Sequence, residues 1–238
     1  MARSNVARRR SVTGRTKRAG SPERATAAAA SGSERSVHPA RATAARSAKI
    51  ERKTRETDIA LALNLDGEGR SRVRTGIGFL DHMLTSLATH ARFDLDVRCR
   101  GDLHVDAHHS VEDVGIALGQ ALKHALGDKK GIVRFGHAYV PLDEALTRAV
   151  VDLSGRPWLH FGVQFRAQRV GDLPTELFED FFWALVDHGR FNLHLDVVRG
   201  RNAHHIAETL FKATARALAT AVALDPRVRG VPSTKGSL

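Results

Sequence analysis

The chain has 238 residues, 42% of them hydrophobic, enough to bury the core of one or two ordinary domains. Its net charge of +11 suggests a nucleic-acid partner until it is divided along the chain: residues 1–48 carry 11 Lys/Arg against 2 Asp/Glu, a net +9, which leaves +2 for residues 49–238. The lone Cys99 excludes an internal disulfide and suits a reducing cytoplasmic setting, while the missing apolar h-region excludes a secretory signal and no run is long enough to span a membrane.

Residues 1–48 are rich in Arg, Ser, Ala and Thr and contain no aromatic residue. Such a stretch buries too little apolar surface to offset chain entropy, so it reads as a disordered basic tail, with an organelle transit peptide as the alternative. Residues 51–65 alternate through Ile59, Leu61, Leu63 and Leu65, which predicts a strand with one buried face. Asp66-Gly67-Glu68-Gly69 supplies a turn, and residues 71–75 return as a second strand. Residues 79–90 hold Leu80, Met83, Leu84 and Leu87 at helical spacing; residues 93–100 alternate again, and a further helix runs from 108 to about 126. Residues 131–222 repeat this order, with strands at 137–153 and 158–168, a helix at 176–188, a strand at 191–199 and a helix at 204–222. Arg92-Phe93-Asp94-Leu95 and Arg190-Phe191-Asn192-Leu193 mark the same point in each half. The expectation is an α+β protein of two duplicated ββαβα units, 49–130 and 131–225, forming two four-stranded sheets with helices packed on one face, then a tail at 226–238.

The duplication carries chemistry. His108-His109-Ser110-Val111-Glu112 recurs 96 residues later as His204-His205-Ile206-Ala207-Glu208. On a helix, residues four apart share a face, so His108 with Glu112, and His204 with Glu208, can each grip one ion. His109 and His205 are rotated about 100° around the axis, suited to a second ion. One copy alone would equally suit a solvated helix start; two copies in the same setting point to a two-metal site. With no thiolate partner for Cys99, the donors are nitrogen and oxygen, which favours Mn, Fe, Zn or Co. His104, His124, His137, His160 and His188 lack paired spacing and read as surface or core residues. Asp106 and Asp113 flank the first clamp, and either imidazole orientation or helix capping would account for them.

From about Lys49 to Leu238 the chain resembles the imidazoleglycerol-phosphate dehydratase family of histidine biosynthesis. The resemblance rests on Arg55-Glu56-Thr57, Gly78-Phe79-Leu80-Asp81-His82-Met83, Asp106-Ala107-His108-His109, Asp152-Leu153-Ser154-Gly155-Arg156-Pro157, Asn192-Leu193-His194, Asn202-Ala203-His204-His205 and Pro232-Ser233-Thr234-Lys235-Gly236. It implies a fold like the second domain of a small-subunit ribosomal protein, and two divalent ions per active site, usually Mn²⁺, with His82 and His194 completing the two shells. Geometry then suggests grouping His108, Glu112, His205 and His82 on one ion, and His204, Glu208, His109 and His194 on the other. The implied reaction removes water from D-erythro-imidazole glycerol phosphate to give imidazole acetol phosphate. The hydrogen to be removed is barely acidic, so the ions would stabilise the ring as imidazolate, which expels a hydroxyl to form a diazafulvene-like intermediate. Glu56 matches the general base, and Arg134, Arg156, Lys212, Ser233 and Lys235 match phosphate-contacting positions. The resemblance also implies a homo-oligomer of twenty-four chains built from trimers, with active sites at subunit interfaces. One departure stands at Thr85-Ser86, where relatives carry more polar or acidic residues. The alternatives are a dinuclear metallohydrolase of a phosphate ester and a nucleic-acid binder, the latter disfavoured because its charge lies in the tail.

Overall fold

The computed structural model describes residues 46–238, so the tail reading lies outside the described residues up to 45. The last three residues assigned to that tail belong to the fold: Arg46 pairs with Asp66, and the first strand starts at Ser47. In chain order the elements are β1 (Ser47–Lys53), β2 (Thr57–Asn64), β3 (Ser71–Arg74), α1 (Gly78–Ala91), β4 (Asp94–Gly101) and α2 (His108–Leu126). After them come β5 (Phe135–Leu142), β6 (Ala145–Asp152), β7 (Trp158–Gly162), the short pair β8 (Arg169–Val170) and β9 (Leu173–Pro174), α3 (Leu177–Gly189), β10 (Asn192–Arg199) and α4 (Ala203–Val222).

Two four-stranded mixed sheets result, ordered β1-β2-β4-β3 and β5-β6-β10-β7. In each, the first three strands pair antiparallel and the edge strand lies parallel to its neighbour. The stretches 51–65 and 137–153 are therefore not single strands. Each contains the turn of a hairpin, at Thr54-Arg55-Glu56 and at Asp143-Glu144, so each four-stranded sheet has one strand more than the ββαβα reading supplies. Residues 71–74 pair with β4 in parallel rather than returning against β2, and residues 158–168 are strand only as far as Gly162.

Period-two burial drives the sheets. Ile59, Leu61 and Leu63 are buried while Asp58 is exposed, so β2 turns one face to the helices. Helices α1 and α2 cover the first sheet, α3 and α4 the second, and the pairs α1·α4 and α2·α3 bring both halves into one hydrophobic core. At α2·α3 the approach is close: a Cβ on Gly115 would come within 2.8 Å of the Phe181 carbonyl oxygen, and one on Gly119 within 2.6 Å of that of Leu185. The likeness of the halves extends to the backbone, because α1 and α3 both end on an arginine, Arg92 and Arg190, in the left-handed conformation.

Candidate active site

Both clamps stand at helix starts. Asn202 caps α4: its side-chain oxygen accepts from the backbone N–H groups of His204 at 2.9 Å and His205 at 3.4 Å. At the start of α2, Asp106 accepts from the backbone N–H of His108 at 2.8 Å, so Asp106 is a capping residue. Asp113 does not touch an imidazole either. It accepts from Arg52 at 2.7 Å and from the Thr57 hydroxyl, tying the β1–β2 hairpin to α2.

The second clamp is closed. His204 Nε2 lies 3.2 Å from Glu208, and His82, carried alongside by α1, lies 3.6 Å from the same carboxylate oxygen. Ligand atoms of His82, His204 and Glu208 all fall within 4.8 Å of one another. Phe79 stands edge-on to both imidazoles, at 6.2 and 5.1 Å between ring centres. This corrects the grouping expected from sequence: within the chain His82 joins His204 and Glu208, because α1 packs on α4, and not His108 and Glu112. Lys212, one turn beyond Glu208, donates to the free carboxylate oxygen at 2.6 Å. Burial pushes the Glu208 carboxyl up, but Lys212, His82 and His204 outweigh it and hold the group below its ordinary value.

The first clamp is looser. His108 Nε2 and Glu112 are 3.9 Å apart and nearly half exposed, and Asp180 of α3 approaches His108 Nδ1 at 3.6 Å. Beside it, Glu56 at the β1–β2 turn faces His109 Nε2 at 3.7 Å. Asp102 accepts from His109 Nδ1 at 3.0 Å and raises the imidazole's pKa, chiefly through this hydrogen bond. Glu144 accepts from His205 Nδ1 at 2.8 Å, and that bond leads the interactions that hold the Glu144 carboxyl at about 2. Sequence reading passed over both carboxylates. Asp102 lies seven residues before its histidine but outside α2, and Glu144 lies 61 residues before its own, so no periodicity within one element links either pair.

The phosphate candidates other than Lys212 collect at one end of the second sheet. The Arg134 guanidinium grips Asp152 through Nε at 2.7 Å and Nη2 at 3.2 Å, and donates to the Pro232 carbonyl at 2.8 Å, which anchors the segment carrying Ser233 and Lys235. Arg156 follows Gly155, whose added Cβ would meet the backbone of Leu238 at 2.7 Å. Three of the five Arg134 N–H donors are committed, leaving two. His194 stands apart. It points from β10 to the face turned away from the helices, opposite Val150 and His160 in the strand register.

Residues 75–218 match the family model described as imidazoleglycerol-phosphate dehydratase. The chain belongs to the imidazoleglycerol-phosphate dehydratase family. Family enzymes of that name from Methylobacillus flagellatus and Gluconobacter oxydans are each 60% identical over 192 residues, which is 80% of this chain and 97% of theirs. Among solved structures, the family member from Staphylococcus aureus aligns with TM-score 0.69 at 40% identity, covering 75% of this chain and 99% of its own. That from Pyrococcus furiosus aligns with TM-score 0.70 at 35% identity, covering 79% and 100%. The family is one of hydro-lyases in histidine biosynthesis acting on a small molecule, and this chain is an enzyme of that kind. No helix among the described residues is long and apolar enough to cross a membrane.

Proposed function

We propose that the chain converts D-erythro-imidazole glycerol phosphate to imidazole acetol phosphate and water with two divalent ions, Mn²⁺ by family resemblance. The carrying observation is the convergence of His82, His204 and Glu208, a donor set of nitrogen and oxygen that fits such an ion. Cys99 offers no competing thiolate, since burial pushes its thiol up to about 11. When bound, the ions supply Lewis acidity to the substrate's imidazole ring and open the imidazolate route.

The chain's own residues hold the substrate and move its proton. Glu56, half exposed beside His109, can reach a carbon next to a ring held at that histidine and take its proton as general base. Arg156, Ser233, Lys235 and the two remaining Arg134 donors suit the phosphate, because guanidinium, ammonium and hydroxyl groups all donate to its oxygens.

Assembly is part of the reading. His194 lies away from both clamps, on a sheet face that exposes Phe135, Tyr139 and Trp158. Exposed aromatic residues gathered on one face suit a second copy, which would bring its His194 to a neighbour's clamp in the trimer-built assembly of twenty-four. A cytoplasmic setting suits the single buried cysteine.

The test is an assay with imidazole glycerol phosphate on chelator-stripped protein, with Mn²⁺ added back. Recovery of product is expected; bound Mn²⁺ without product overturns the reading. Glu56→Gln is expected to keep its full metal content while kcat falls by about 10²–10⁴-fold, and a near-normal kcat removes Glu56 from the mechanism.

A further inference from the structure

We propose that Asp102 and Glu144 are positioning residues that fix the tautomer of His109 and His205, so that each ring carries its proton on Nδ1 and presents a bare Nε2 as the ligand nitrogen. The claim rests on the metal reading above for its purpose, but its geometry is independent of it.

An ionised carboxylate accepts hydrogen bonds and donates none, so an imidazole nitrogen in contact with one must carry the proton. His109 Nδ1 has both oxygens of Asp102 at 3.0 and 3.2 Å, and His205 Nδ1 has Glu144 at 2.8 Å. The opposite nitrogen of each ring points to a hairpin turn: Nε2 of His109 to Glu56 at 3.7 Å, Nε2 of His205 to Asp143 at 3.8 Å. Both gaps are too long for a hydrogen bond, so neither carboxylate draws a proton onto Nε2.

The two devices come from different elements, although the clamps they serve are copies. Asp102 follows β4, and its own backbone N–H donates to the Glu56 carbonyl at 3.1 Å, linking the His109 support to the turn that carries the proposed base. Glu144 lies in the β5–β6 turn, and its second oxygen accepts from the backbone N–H groups of Asn202 at 2.8 Å and Arg201 at 3.3 Å. One carboxylate thus braces both the capping residue of α4 and the imidazole three residues on. The same ring orientation, reached from two unlike backbones, points to a requirement of the ring rather than a by-product of the duplication.

The chemistry predicts what amides would do. In Glu144→Gln the side chain has one acceptor oxygen in place of two, and with that oxygen kept by Asn202 its NH₂ faces His205, which must then offer a bare Nδ1 and carry its proton on Nε2. The experiment is nitrogen-15 NMR of the imidazoles in full-length metal-free protein, run beside Mn²⁺ titrations followed by electron paramagnetic resonance. The variants are Glu144→Gln, Asp102→Asn and the conservative Asp102→Glu.

Wild type should show both rings protonated on Nδ1. Glu144→Gln should move the His205 proton to Nε2, and both amide variants should weaken Mn²⁺ binding by about 10–100-fold, the usual effect of losing such a support. Asp102→Glu should restore most of that affinity, which a merely structural role would not require. Unchanged tautomers with Mn²⁺ affinity within about twofold of wild type would overturn the proposal. Should Glu144→Gln fail to fold, Asp102→Asn decides the matter alone. If wild type binds no Mn²⁺ at all, the metal reading falls, while the tautomers of the metal-free protein still decide the positioning claim.

Discussion

The two clamps share a pattern and differ in readiness. His204 and Glu208 are drawn together, with Glu208 only 14% exposed, joined by His82 and held by Lys212; His108 and Glu112 stand further apart, at 44% and 48% exposure. The cause is one residue on the neighbouring helix. Counting from the shared Arg-Phe markers, the position of His82 on α1 is taken on α3 by Asp180, so α4 receives an imidazole from its partner helix where α2 receives a carboxylate. A duplicated scaffold has thus kept the clamp and changed what leans against it. The second clamp presents three donors from one chain, while the first presents fewer imidazoles and a more open face, as suits a site finished by another copy.

Removing each clamp's carboxylate in turn should separate the two sites most strongly. Glu208→Gln should abolish the ion held by His82 and His204 and, because a metal stabilises transition-state charge by several kcal/mol, lower kcat by roughly 10³-fold or more. Glu112→Gln should also lose one ion, but the ion it retains should be the tighter of the two. Metal analysis and Mn²⁺ titration of both variants check this. Equal residual affinities would mean that the difference in packing has no bearing on binding.

Much of this was legible in the sequence, and what was not has physical causes. Helix periodicity fixed both clamps, since i and i+4 share a face whatever the tertiary context. The β1–β2 hairpin was missed because Thr54-Arg55-Glu56 contains none of the Gly, Pro or Asn residues that usually announce a turn; its turn is closed instead by the Thr54 hydroxyl, which accepts from the N–H groups of Glu56 and Thr57. The partner of His82 was misassigned because periodicity is silent on which helices pack together. Asp102 and Glu144 were invisible for the same reason, as contacts across the fold leave no local trace. The phosphate candidates came from resemblance alone, and the structure adds the contact from Arg134 to the Pro232 carbonyl that ties it to the segment of Ser233 and Lys235.

A smaller effect sharpens the same contrast through packing. Phe79 stands against His82, His204 and Phe178, so its ring helps hold the second clamp's imidazoles. It is only partly buried. Phe79→Ala should therefore cost about 2–3 kcal/mol in urea unfolding, below the range for a fully buried phenylalanine. It should also weaken Mn²⁺ binding at the second clamp and leave the first unchanged. Equal weakening at both would show that Phe79 acts on the fold as a whole.

The smallest expected effect separates the halves by charge. Asp94 and Asn192 occupy the same place after the Arg-Phe markers. Asp94 accepts from the backbone N–H groups of Glu68 at 2.9 Å and Arg70 at 3.0 Å, closing the turn between β2 and β3; Asn192 instead donates to the Arg156 carbonyl at 2.7 Å. The Arg70 guanidinium, aided by these N–H groups, holds the Asp94 carboxyl at about 2, below its ordinary value. A group whose pKa is depressed on folding stabilises most above its unfolded pKa, and the contribution fades as pH falls towards the folded one. Asp94→Asn should therefore cost about 1 kcal/mol at neutral pH, the scale of one net hydrogen bond, and the gap from wild type should narrow below about pH 4 as the wild-type carboxylate takes up its proton. Urea unfolding of both proteins across that range tests the sign. A gap that stays constant, or widens in acid, would assign the stabilisation to the shape of the turn and not to the charge that distinguishes it from its counterpart at Asn192.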